Sequence, residues 1–146
     1  MTKSRKEEAA GLVSKTADVQ LDGEYSLCPW GRADYHASLG GNRLLILEVE
    51  AEQKHPCTNV SKLWPYLEEH AEESALLVQV YFPDSPARGG SRDRLACWLA
   101  ERMECCLGPR FQYCRVVLDP EHGSFVEGRE QLERAIAATE SCRERA

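Results

Sequence analysis

This sequence lacks any apolar run near the roughly 20 residues that span a bilayer. Its first ten residues, MTKSRKEEAA, have no apolar stretch of the kind a secretory signal carries. A cytosolic chain with no membrane attachment is therefore expected. Positive charge is also short: 18 Lys and Arg against 24 Asp and Glu leave a net charge of −6. That excludes a protein that coats nucleic acid through bulk basic charge, but not one that grips a phosphate through a bound divalent ion. Neither a GxGxxG nor a Walker pattern occurs, so Gly40-Gly41 reads as a turn and not as a phosphate cradle. There is no CxxC or HxxxH pair to make His36, His55, Cys57 and Cys28 a zinc site. The seven cysteines are odd in number and follow no secretory signal, which excludes a disulfide framework and predicts free thiols. Cys105-Cys106 closes a helix, with Cys106 expected in the core and Cys105 at the surface. Redox chemistry on this vicinal pair is the weakest of the functional readings. Internal repeats and low-complexity tracts are absent as well.

What remains is a chain of 146 residues, 42% apolar and 29% charged. That is enough for one hydrophobic core and one domain spanning 1–146. Residues 3–18 read as a short amphipathic helix with Ala9, Leu12, Val13 and Ala17 inward. Residues 19–27 hold a short strand, and Cys28-Pro29-Trp30-Gly31 is a turn. Arg32–Leu39 and Arg43–Ala51 are strands joined at Gly40-Gly41-Asn42, residues that tolerate the positive φ of a hairpin turn. Leu44-Leu45-Ile46-Leu47 is apolar on both faces, as is Ser74–Phe82, which marks both as interior strands of a covered sheet.

Between those two strands a helix opens with Thr58 as its cap, and Pro65 kinks it or starts a second one. A loop rich in Pro and Gly, 83–91, leads to a helix over 91–107. Ser91 caps it, and Leu95, Trp98, Leu99, Met103, Cys106 and Leu107 form its apolar stripe. Phe111–Leu118 is a further strand, and a helix over 128–141 turns Leu132, Ala135, Ile136 and Thr139 inward. Trp64, Tyr66 and Trp98 read as core. Arg88, Arg92 and Arg94 read as a solvated surface or as contacts to a phosphate backbone. The order implies an α/β fold, a mixed sheet flanked by helices.

A turn centred on Gly41 sets Asp34 opposite Glu48. Side chains alternate along a strand, so Glu48 and Glu50 share a face about 6.6–6.8 Å apart. Three carboxylates thus gather at one end of two strands. Opposed like charges destabilise a strand pair, and unpaired buried carboxylates cost several kcal/mol. A bound Mg²⁺ or Mn²⁺ removes both objections, because hard cations take carboxylate oxygens. The other escape is a solvated Glu50 with Arg32 or Arg43 pairing Asp34. Gln79 lies mid-strand beside the carboxylate strand, as a locally hydrogen-bonded amide or a support for the site.

An Asp on one strand, a hairpin, then Glu48-Val49-Glu50 closing an apolar strand before a helix resembles the PD-(D/E)XK nuclease superfamily. The resemblance covers roughly residues 3–82 and implies a restriction-endonuclease-like αβββαβ core. It departs at Ala33, where Pro is usual, and at Glu50, where Lys is commonest. A lysine is supplied from the following helix in some members, which points to Lys62, with Lys54 as the nearer alternative. An early helix carboxylate, Glu7 or Glu8, often completes such a site. The resemblance implies metal-assisted phosphodiester hydrolysis, probed first on DNA, with Asp34, Glu48 and Glu50 holding Mg²⁺ or Mn²⁺. Glu50 would coordinate a second ion or accept a proton from water, and Lys62 would steady developing charge. A chain this small and acidic would need a homodimer or a larger protein partner to hold a duplex. The alternative is a catalytically inert domain of the same fold that binds protein or nucleic acid.

Overall fold

The computed structural model describes residues 4–52 and 55–145, with side chains through Thr139. Lys54 lies outside the described residues. The chain opens with helix α1 (Arg5–Ala17), capped by Ser4 Oγ accepting from the Glu7 N–H. Two short strands, β1 (Tyr25–Ser26) and β2 (Arg32–Ala33), pair antiparallel. The main sheet has five strands in the order β3 (Tyr35–Ser38), β4 (Arg43–Glu50), β5 (Ser74–Tyr81), β6 (Phe111–Asp119) and β7 (Ser124–Glu127). β4, β5 and β6 are parallel, and β3 and β7 join the two edges antiparallel. Helices α2 (Pro56–Ser61) and α3 (Leu63–Glu69) connect β4 to β5. α4 (Ser91–Leu107) connects β5 to β6, and α5 (Arg129–Arg145) closes the chain. This is the mixed α/β sheet flanked by helices that the pattern of apolar runs predicts.

The hairpin between β3 and β4 has the expected register. Tyr35 lies opposite Leu47 and His36 opposite Ile46, which centres the turn on Gly41 at φ +58°. The continuous apolar runs are buried because helices cover both sheet faces. Leu45, Leu47 and Val49 pack with Val78, Val80 and Val116 against Val13 of α1 and Leu132 of α5. On the opposite face Ile46, Leu77 and Phe111 pack against Val60, Leu63, Ala96 and Met103 of α2, α3 and α4. This second face is apolar where the parallel strands begin and polar where they end, with Glu48, Gln79 and Arg115 side by side in register. Ligand sites of open parallel sheets form at those carboxyl ends.

Several local expectations are corrected. The predicted strand over 32–39 breaks at Asp34, which bends the chain between β2 and β3. Thr58 lies inside α2, whose N-cap is His55 with Pro56 in the first turn, a position where proline's missing N–H costs nothing. Gly90, and not Ser91, precedes α4 as its N-cap. α4 is also rotated relative to its apolar stripe. Asp93, Ala96, Ala100 and Met103 face the sheet, while Leu95 and Trp98 are 53% and 52% exposed. The cause is Asp93, whose carboxylate takes Arg115 of β6 at both oxygens (2.9 and 2.6 Å). That fork pins the helix, and the two alanines let it lie close to the strands. Cys105 and Cys106 are both exposed as a result. Strand β7 escapes sequence reading because it is short and largely exposed, and it pairs with β6 across a register shift at Val117/Leu118.

Between β7 and α5, Gly128 has φ +88°, and a Cβ there would overlap the Arg115 carbonyl oxygen and lie 2.9 Å from Val116 Cγ1. Gly128→Ala is expected to destabilise the fold by at least about 2 kcal/mol, through both backbone strain and overlap. Urea unfolding monitored at the tryptophans reads this directly.

Candidate active site

Strand alternation puts Glu48 and Glu50 on the same face of β4, and both are buried, at 1% and 0% exposure. Asp34 meets β4 through a reciprocal contact. Its own N–H donates to Glu48 Oε1 (2.9 Å), while its Oδ2 accepts from the Val49 N–H (2.8 Å). The bend at Asp34 therefore exchanges strand pairing for a side-chain clasp on β4. The second oxygen, Oδ1, accepts from Lys6 Nζ of α1 at 3.1 Å.

Lys62 occupies the junction between α2 and α3, where the helix breaks ahead of Pro65. Its ammonium donates to Glu48 Oε2 (2.9 Å), to Asn59 Oδ1 (2.9 Å) and to the Arg32 carbonyl. Three acceptors satisfy all three of its protons. Lys62 is thus seated on the Glu48 carboxylate. Glu50 is held from the side: its Oε1 accepts from Asn59 Nδ2 (2.6 Å) and Gln79 Nε2 (3.1 Å). Gln79 in turn donates to the Pro56 carbonyl and accepts from the Tyr113 hydroxyl (2.5 Å). Glu50 Oε2 is buried with no hydrogen-bond partner among the described residues.

The electrostatics follow from this burial. Desolvation raises the Glu48 carboxyl from its usual 4.5 to about 7, against the opposing pull of the Lys62 ammonium and with a further push from Asp34. Burial likewise raises Glu50, and the amide donors of Asn59 and Gln79 offset part of the shift. Lys6 is raised by its hydrogen bond to Asp34.

Asp34, Glu48 and Lys62 are joined by hydrogen bonds, Asn59 links Lys62 to Glu50, and Gln79 supports Glu50. The expected helix carboxylate is not part of the group: α1 offers Lys6 to Asp34, while Glu7 turns back toward Ser4 at its own helix end. His36 bonds the Gly23 carbonyl, and His55 is exposed. Sequence reasoning missed Asn59, which links Lys62 to Glu50. Its spacing of three from Lys62 on a helix was the available signal. Lys6 and Tyr113 left no such signal, because each arrives from a distant element.

In donor chemistry the site fits a hard divalent cation. It offers three carboxylates and no sulfur or imidazole, and one buried carboxylate oxygen lacks a partner. Asp34, Glu48 and Glu50 are the residues that would hold it. Their ligand atoms are not drawn into one tight group. Among the described residues the one trio found within 4.8 Å of one another is the surface set Asp119, Glu121 and His122, in the turn after β6. At the carboxylate site Lys62 and Lys6 occupy the oxygens that a cation would share. No family model matches the chain, and no curated protein or solved structure matches it either, so its chemistry is read from this geometry.

Proposed function

We propose that the chain is a divalent-cation-dependent phosphodiester hydrolase acting on nucleic acid, with DNA as the first substrate to test. One observation carries the reading: Asp34, Glu48, Glu50 and Lys62 converge at the carboxyl ends of parallel strands, and Glu50 Oε2 is left buried without a partner. An unsatisfied buried acceptor costs about 1–3 kcal/mol, and more when charged. A bound ion is one of the ways such a group is completed, and Glu50 Oε2 is the one carboxylate oxygen among the unpartnered buried atoms of the described residues. The order of helix, Asp strand, hairpin, Glu-x-Glu strand, helix and parallel strand adds support.

Asp34, Glu48 and Glu50 would hold Mg²⁺ or Mn²⁺, which supplies charge neutralisation on the phosphate oxygens and acidifies bound water. Glu50 would use Oε2 either to complete the cation or to accept a proton from the attacking water. Lys62 is fixed by three acceptors, so its ammonium opposes negative charge developing on the phosphate without having to reorient. Lys6 and Arg32 stand at the exposed rim, paired with Asp34 and Glu24, and would exchange those partners for backbone phosphates.

The test has two readouts. Wild-type protein is expected to cut supercoiled plasmid or single-stranded DNA with Mn²⁺ or Mg²⁺, and to stop on chelation. Without substrate, Mn²⁺ is expected to raise the thermal midpoint, because a cation that binds only the folded chain stabilises it by mass action. Glu50→Gln is expected to lose that Mn²⁺ response. It is also expected to raise the cation-free midpoint at pH 8, since it removes a buried carboxylate charge. A protein that neither cuts nor responds to Mn²⁺ overturns the hydrolase reading. The favoured reading is then the inert domain, in which Lys62 permanently completes Glu48.

A further inference from the structure

We propose that the chain self-associates through α4, with two copies packing antiparallel about a two-fold axis beside Trp98. This inference does not depend on the hydrolase reading. Because Asp93 and Arg115 pin the rotation of α4, two of the largest exposed apolar side chains, Leu95 and Trp98, stand together on its outer face. The Arg102 guanidinium lies 5.3 Å from the Trp98 ring centroid, and Cys105 is exposed two turns further along. Among the described residues nothing of the chain covers this face.

The charges on this face identify the occupant as a second copy. Arg94 and Glu101 are exposed and make no ion pair with a described residue. They are seven residues apart and so share one flank of the helix. Arg94 precedes Trp98 by four residues and Glu101 follows it by three. In an antiparallel pair, like flanks meet and positions equidistant from the axis face each other. Arg94 of one copy therefore meets Glu101 of the other, and the symmetry makes the pair twice. On the opposite flank Leu95 and Arg102 are also seven apart. Leu95 then covers the aliphatic stem of the other copy's Arg102 while the two Trp98 rings fill the centre. The patch is self-complementary in shape and charge, as an isologous interface requires. Arg94 in the first turn is poorly placed against its own helix dipole, and the antiparallel neighbour offsets this. The N-terminal turn of α4 also touches α2, with Cys57 Sγ bonded to the Arg92 carbonyl at 3.4 Å.

A single helix pair buries less than standard stable interfaces do, so a dissociation constant on the order of 10 µM is expected. Sedimentation equilibrium of the full chain, under reducing conditions to exclude bridges through Cys105 or Cys106, should show a monomer–dimer equilibrium. Trp98→Ala should give a folded monomer with a thermal midpoint close to wild type, because half of Trp98 is exposed and the ring's cation partner, Arg102, is itself exposed. Arg94→Glu and Glu101→Arg should each weaken association at least tenfold, because each homodimer then opposes like charges. An equimolar mixture of the two variants should associate again, since every facing pair is then opposite in sign. A protein that stays monomeric throughout, or a dimer indifferent to Trp98→Ala, overturns the proposal. Failure of the mixture to associate overturns the antiparallel register.

Discussion

Glu48→Gln is expected to lower cation-dependent cleavage at least about a thousand-fold while leaving the protein folded. The loss corresponds to about 4 kcal/mol of barrier at 1.36 kcal/mol per decade, within the several kcal/mol a cation contributes to such reactions. The neutral amide is a poor ligand for a hard cation. The fold survives because its contacts are redistributed and not simply removed. The amide oxygen still accepts from the Asp34 N–H, which now meets Glu48 Oε1 at 2.9 Å. The amide nitrogen faces the Lys62 ammonium donor to donor, which is unfavourable. Lys62 nevertheless keeps Asn59 Oδ1 and the Arg32 carbonyl. Against that local loss stands the removal of a buried carboxylate whose affinity for protons is raised to about 7. A thermal midpoint recorded beside the cleavage assay separates the two effects. A midpoint near wild type with cleavage gone assigns Glu48 to the chemistry, and retained cleavage would remove it.

Lys62→Met is expected to produce the largest stability change at the site, about 3–5 kcal/mol at pH 8, the usual result of stranding one member of a buried pair. Glu48 is 1% exposed and would keep a single backbone donor. Asn59 and the Arg32 carbonyl would each lose a proton donor. The pH dependence carries a definite sign. In the cation-free wild type, Glu48 holds its proton up to about pH 7 when folded, whereas an unfolded glutamate releases it near 4.5. Between those values the folded chain binds more protons than the unfolded chain, so Glu48 makes stability fall as pH rises, by about 3 kcal/mol in all. Removing the ammonium raises the Glu48 carboxyl further. The loss then continues above pH 7, and the deficit of Lys62→Met against wild type shrinks toward pH 5. Adding Glu48→Gln to Lys62→Met should restore much of the stability and flatten this dependence. Urea unfolding at pH 5, 6.5 and 8 for the four proteins tests the whole pattern. A deficit that does not change with pH would show that Lys62 stabilises the fold through packing alone.

Most of the sheet was legible in the chain because its signals are local. Gly40-Gly41-Asn42 can make a tight turn, and the registers Tyr35–Leu47 and His36–Ile46 follow from where that turn is centred. Leu44–Leu47 and Ala75–Val78 are apolar at consecutive positions, which only strands covered on both faces tolerate. The period of two then set Glu48 and Glu50 on one side. α4 shows the opposite case. Its length was plain, yet its facing was not, because a stripe through Leu95 and Trp98 and a stripe through Ala96, Ala100 and Met103 are both helical. Asp93 chose between them by reaching Arg115, which lies 22 residues further along the chain.

The site divides along the same line. Backbone torsions and side-chain periodicity act over a few residues, so strand identity, the hairpin and the two glutamates on one face were settled by neighbours in the chain. Which lysine neutralises Glu48, that Lys6 meets Asp34, and which Glu50 oxygen goes without a partner depended on elements brought together only by packing. The Lys62 ammonium is coordinated at once by Arg32, Glu48 and Asn59, from two strands and a helix. Tyr113 reaches Glu50 only through Gln79. Such partnerships are decided by the distance between buried atoms after the core has closed, when each polar group must find a donor or acceptor among the neighbours that packing supplies.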